Sequence, residues 1–218
     1  MTTDTKERTV PPRLLALLSI FLFAAAGCTG APARVEAPQI DATAVGDQMA
    51  AAYDTDKDGY LSKDELATQC PAIAKAFSQY DADGSGFVSA SEITARIQAI
   101  QQDQVGLMSL ECKVTLDNAP LSGAKVEFVA EPAMADKVPN ASGTTDDAGS
   151  VMLDIPATEK PDSLKFVPGL RCGLYKIRIT HPSENIPAKY NSETELGQEV
   201  ALDAPEIQET IRIKLTRE

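Results

Sequence analysis

The densest chemistry in this sequence is carboxylate. DTDKDGYLSKDE, Asp54 to Glu65, holds five acidic residues in twelve, and DADGSGFVSASE, Asp81 to Glu92, nearly repeats the arrangement. Like charges crowded into one turn repel unless a cation neutralises them, and the spacing selects the cation. Ca2+ takes six to eight oxygen ligands at about 2.3–2.6 Å and tolerates irregular geometry. A twelve-residue loop wraps it when ligands fall at positions 1, 3, 5, 7, 9 and 12, with a sharp turn at position 6 that favours glycine. The first loop places Asp54, Asp56 and Asp58 at 1, 3 and 5, Gly59 at 6, the Tyr60 carbonyl at 7, Ser62 at 9 and Glu65 at 12. The second places Asp81, Asp83 and Ser85 at 1, 3 and 5, Gly86 at 6, the Phe87 carbonyl at 7, Ser89 at 9 and Glu92 at 12. Two Ca2+ ions are therefore expected. The first site offers four side-chain carboxylates and the second three, so the first should bind tighter.

Such loops need helices on either side. Val45, Met49, Ala50 and Tyr53 precede the first loop at the same distances as Ala72, Ala76, Phe77 and Tyr80 precede the second, giving one apolar stripe per entering helix. Leu61 and Val88 share position 8, where paired loops form a short β contact, and Ile93, Ile97 and Ile100 continue an apolar face out of loop two. Pro71 stops the first exit helix and can open the next at its first turn. These loops and flanks resemble a tandem EF-hand pair over residues 41–104. With 15 residues between the loops, the pair is tighter than calmodulin-like pairs.

Elsewhere the chain reads differently. Lys6, Arg8 and Arg13 lead into LLALLSIFLFAAA, Leu14 to Ala26. As a helix this run would span roughly 20 Å, short of the roughly 30 Å hydrocarbon core, which suits a secretion signal better than a membrane span. The AAGC ending resembles the lipobox of bacterial lipoproteins, with Ala25 where Leu is usual. That resemblance implies cleavage after residue 27 and lipidation of Cys28, and with it an extracytoplasmic protein anchored to a membrane of the bacterial cell envelope. Residues 28–40 then form the lipidated cysteine and a flexible tether rich in Ala, Pro and Gly. Cys70, Cys112 and Cys172 remain, an odd number that permits one disulfide in an oxidising compartment. Cys112 and Cys172 are the candidate pair. Cys112 reads equally as an ordinary core cysteine, since it shares a face with Val114 and Leu116.

Beyond Val105–Ser109 the texture becomes short alternating runs broken by Gly, Pro, Asn and Asp: CKVTL, AKVEFVA, SVMLDI, YKIRIT, QEVAL and TIRIKL. One apolar face per strand is what a two-sheet sandwich requires. The fold class expected is multi-domain α plus β, a helical pair followed by an antiparallel β-sandwich. VTLDNAPLSGAKVEFV, ASGTTDDAGSVML, GLYKIRIT and IPAKYNSETEL resemble the transthyretin-like or carboxypeptidase-regulatory-like sandwich over residues 109–218. Such domains are frequent in lipoproteins of planctomycete-type bacteria, and the resemblance implies adhesion, support or carbohydrate contact.

A formal charge of −12 argues against nucleic acid as a partner, and 5% aromatic residues with no Trp leave no stacking platform. No nucleophile elbow, zinc-protease helix or phosphate-binding loop is present. His181, the lone histidine, reads as a bystander beside Pro182. The expectation is a calcium-binding, lipid-anchored, non-enzymatic envelope protein whose helical pair supports an interaction sandwich facing a protein or polysaccharide. The alternative is a Ca2+-responsive accessory subunit of a secreted or envelope enzyme complex.

Overall fold

The computed structural model describes residues 1–2, 35–208 and 210–218. The apolar run Leu14 to Ala26 and Cys28 lie outside the described residues. Among those described, no helix is long and apolar enough to cross a membrane.

Five helices carry the acidic loops. In α1 (Ala42–Tyr53), the Asp41 side chain caps the first turn by accepting from the Ala44 N–H at 3.0 Å. Loop one leads into α2 (Lys63–Gln69), and Pro71 opens α3 (Pro71–Lys75) at its first turn, as the sequence predicts. The single turn α4 (Phe77–Tyr80) runs into loop two, which is followed by α5 (Ala90–Gln102). Of the expected stripes, Val45, Met49, Tyr53, Ala72, Tyr80, Ile93, Ile97 and Ile100 are buried, while Ala50, Ala76 and Phe77 are half-buried.

Among the described residues eight strands follow: β1 (Glu111–Leu116), β2 (Ala119–Pro120), β3 (Lys125–Ala130), β4 (Ala141–Thr144), β5 (Ser150–Met152), β6 (Gly173–Thr180), β7 (Gly197–Val200) and β8 (Ile211–Leu215). They form two four-stranded sheets. One is centred on β1, which pairs β2, β5 and β8; the other has the order β4-β3-β6-β7. Alternation sends Cys112, Val114 and Leu116 of β1, Val126 and Phe128 of β3, and Ile177 and Ile179 of β6 into a core shared with the helices.

One pair departs from the antiparallel expectation, because β8 lies parallel to β1 with Val114 opposite Ile213. The reason is positional. Val200 at the end of β7 pairs Gly173 at the start of β6, and the start of β1 sits beside that same end through the Met108–Leu170 bridge. The short turn Pro205–Gln208 therefore delivers β8 to the end of the sheet where β1 begins.

The helices and sheets share one compact unit, Arg34–Glu218. The closest approach is at Gly197 on β7, where a Cβ would stand 2.1 Å from the Ala72 nitrogen and 2.4 Å from the Pro71 carbonyl carbon. Helix α3 thus rests on β7, whose four residues are all buried, Gln198 and Glu199 included. The bridge between Cys112 and Cys172 is not formed. Both are buried free thiols, as is Cys70, and burial pushes the Cys112 and Cys172 thiols up to about 12.

Candidate metal centre

Each acidic loop is shaped by its own side chains. Asp54 at position 1 accepts from the Lys57 and Gly59 N–H groups at 2.6 and 2.9 Å, and Asp58 accepts from Tyr60 at 2.8 Å. In loop two, Asp81 accepts from Gly86 at 3.0 Å and Asp83 from Ser85 at 2.9 Å. Gly59 and Gly86 have φ of 90° and 85°, and a Cβ at either would meet nothing within 4 Å. Glycine is needed there for its backbone conformation, not for space. The loops meet at position 8, where Leu61 and Val88 exchange both backbone hydrogen bonds at 2.8 and 2.9 Å.

The structure brings together Asp54, Asp56 and Asp58 in one cluster and Asp81, Asp83 and Glu92 in the other, each with carboxylate oxygens within 4.8 Å of one another. Oxygens on opposite sides of a Ca2+ stand about 4.8 Å apart at a bond length of roughly 2.4 Å, so both clusters fit that ion. Ser85 Oγ lies 3.4 Å from Asp81 and 3.3 Å from the Phe87 carbonyl, so positions 1, 5 and 7 converge in loop two. The two sets of acids differ in their charge balance. The Asp58 N–H draws the Asp56 carboxyl down, but desolvation and the charges of Asp58, Glu65 and Asp54 together leave it above the usual range. The Ser85 hydroxyl and N–H hold Asp83 below it.

The position-12 glutamates and position-9 serines have a second task. Ser62 and Glu65 form a reciprocal capping box at the start of α2, as Ser89 and Glu92 do at the start of α5. The serine hydroxyls bond these carboxylates at 2.8 and 2.7 Å. Glu65 lies outside the first cluster, and its bonding explains why. One of its oxygens accepts from the Thr55 N–H and hydroxyl at 2.8 and 2.7 Å, and the other accepts from the Ser62 N–H and hydroxyl, both at 2.8 Å. That fills the roughly four lone-pair directions of a carboxylate. Hydrogen bonds from Ser62 and Thr55 hold Glu65 down to about 2. Glu92 accepts three bonds, from the Ala82 N–H and from the N–H and hydroxyl of Ser89, because Ala82 stands where loop one has Thr55. The tyrosine and phenylalanine at position 7 are exposed, with ring centroids 6.3 Å apart.

Two buried glutamates that sequence reasoning passed over, Glu131 and Glu199, anchor these loops to the sheets. Tyr53, immediately before loop one, donates its hydroxyl to Glu131 at 2.6 Å; Tyr80, immediately before loop two, donates to Glu199 at 2.6 Å. Both glutamates are buried. Glu199 also receives the Arg96 guanidinium through two bonds, at 2.5 and 3.1 Å, and Arg96 reaches on to Asp203. Glu131 has no cation so placed. Burial raises it above the usual carboxylate range, while the Tyr53 hydroxyl, the Lys176 charge and the Cys70 thiol draw it back. His181 has a structural place: one ring nitrogen accepts from the Ser183 and Glu184 N–H groups while the other bonds the Ser122 carbonyl, pinning two turns together.

The EF hand family model matches residues 51–70 and 73–95. The two acidic loops are thus EF-hand motifs, the architecture of calcium binding, set in a chain whose larger part is β-sheet. No curated protein matches the chain.

Proposed function

We propose that the protein is a lipid-anchored, non-enzymatic protein of the bacterial cell envelope in which two Ca2+ ions, one per loop, hold a transthyretin-like sandwich in shape for contact with a partner. The observation that carries this reading is the pair of tyrosine–glutamate clamps. Each residue just before a metal loop is tied to a buried carboxylate of the sheet half, by Tyr53 to Glu131 and by Tyr80 to Glu199. A switch-type EF-hand exposes an apolar groove when its helices reorient. Here α3 is seated on β7 at backbone contact, which favours a permanent structural ion. Support for the anchor is the AAGC sequence ending at Cys28.

The accessory-subunit reading draws on the exposed Tyr60 and Phe87 rings, which the loops present side by side. Thermal melting with and without Ca2+ separates the two. With a Kd of about 10⁻⁴ M, Ca2+ at about 1 mM stabilises by roughly 1.4 kcal/mol per site. A structural role predicts a raised melting temperature with no Ca2+-dependent binding of a hydrophobic dye. Dye binding that appears with Ca2+ refutes it. Growth with a labelled fatty acid tests the anchor, and retention of label in Cys28→Ser refutes that part.

A further inference from the structure

The open side of the sandwich holds a groove of about 950 Å³, walled by α2 and α3, by β6 and β8, and by residues 192–197. Its charge opposes that of the chain. Lys75, Lys176, Arg178, Arg212 and Lys214 line it against two carboxylates, Glu193 and Glu195, in a protein of formal charge −12. Glu193 and Glu195 do not neutralise the strand cations: the side chains of Arg178, Arg212 and Lys214 make no hydrogen bond or ion pair among the described residues.

The groove is also floored by unpaired backbone. Among the described residues, strand β8 pairs only β1. The Leu215 carbonyl accepts from the Asp117 N–H at 2.9 Å, on the β1 side. Alternation along the strand then turns Ile211, Ile213 and Leu215 toward β1 and leaves the N–H and C=O groups of Arg212 and Lys214 on the free edge. Those two residues also carry exposed cationic side chains, while Ile211 and Ile213 face the core.

We propose that this groove binds an extended acidic segment of a partner protein, which adds as a strand to the free edge of β8. Backbone pairing with Arg212 and Lys214 provides affinity. Same-face neighbours across the new pair provide selectivity: acidic residues beside Arg212 and Lys214, apolar residues beside Ile211 and Ile213. This deepens the reading of the sheets as an interaction surface and rests on it.

The test uses the full chain in Ca2+ and a labelled short peptide of alternating Glu and Val, followed by fluorescence anisotropy. Binding should weaken about tenfold in Arg212→Gln/Lys214→Gln, a variant whose changed side chains are solvent-exposed and whose melting temperature should hold. N-methylation of alternate peptide residues, which removes backbone donors but no charge, should abolish it. A polyuronate of matched charge should compete poorly. No binding, insensitivity to N-methylation, or equal competition by polyuronate overturns the proposal; the first would make the cations guards against edge pairing. If Ca2+ still raises the melting temperature when the peptide fails to bind, only this inference falls and the structural-ion reading stands.

Discussion

Thr55 should restrain calcium binding at the first site. The Glu65 carboxylate accepts four hydrogen bonds, two from Thr55 and two from Ser62, so it cannot approach an ion without surrendering some of them. Glu92, with Ala82 in place of that threonine, accepts three and already stands with Asp81 and Asp83. Thr55→Ala removes one charge-assisted hydroxyl bond of 2.7 Å while leaving the N–H bond in place. The bond is solvent-exposed, which puts its net worth at the low end for such bonds, and its release should tighten site one about fivefold. Ala82→Thr should do the reverse at site two. The assay is calorimetric Ca2+ titration of the full chain, with Glu92→Gln in the background to isolate site one and Glu65→Gln to isolate site two. A second readout follows from linkage. Glu65 is held down to about 2 by bonds from Ser62 and Thr55, so its contribution to the metal-free fold is complete above the ordinary carboxylate range and is lost as pH falls toward 2. Thr55→Ala should move that loss to higher pH. Unchanged or weaker Ca2+ binding in Thr55→Ala would show that the hydroxyl organises the site instead of competing for it.

Three further outcomes are expected. Glu65→Gln and Glu92→Gln each replace a charged two-oxygen ligand by an amide with one carbonyl oxygen, so each should weaken its own site strongly and the other partly, through the Leu61–Val88 bridge; titration of both variants checks this. Glu131 lies above the usual range because burial disfavours its charge, so the folded state binds its proton more tightly than the unfolded chain does. The stability of wild type relative to Glu131→Gln should therefore fall as pH rises from the ordinary carboxylate range through the raised value, read from urea unfolding at a series of pH values. Arg96→Met strands buried Glu199 with only the Tyr80 hydroxyl and should cost about 3 kcal/mol by the same unfolding measurement, whereas Asp203→Asn, at the exposed end of the network, should cost under about 1 kcal/mol.

What the sequence made legible was local. Both loops, their glycines, the contact at position 8 and the helix broken at Pro71 follow from spacing within a few residues, and the six alternating runs correspond to β1, β3, β5, β6, β7 and β8. Strand β4, the segment ASGT, escaped because it has no apolar alternation, and β2 is only two residues long. The clamps escaped for another reason. Glu131 and Glu199 are charged residues that pattern as solvated surface, and they meet partners 78 and 119 residues away. Only the seating of α3 on β7 makes that strand interior on both faces. Threonine at position 2 of loop one was visible but silent, since nothing in its type indicates that it saturates Glu65. The pinning role of His181 depends on a turn 59 residues distant.

The parallel pairing of β8 with β1 also imposes an order of assembly. Each metal loop closes within twelve residues, and the loops join through Leu61 and Val88, 27 residues apart in sequence. The sheet containing β1 is completed only when Val114 finds Ile213, across a separation of 99 residues. Contacts that near form in microseconds, whereas closure over that distance belongs to the slow regime of folding. A chain emerging from its N-terminal side can therefore set its calcium loops before the strand that finishes the sheet exists. Until then the edge of β1 that pairs β8 has no partner, although Glu199 on β7, which precedes β8, is already present to meet the Tyr80 hydroxyl. Shortage of the ion and truncation near Ile211 should accordingly produce different misfolded species, the first lacking its helices and the second retaining them beside an unfinished sheet.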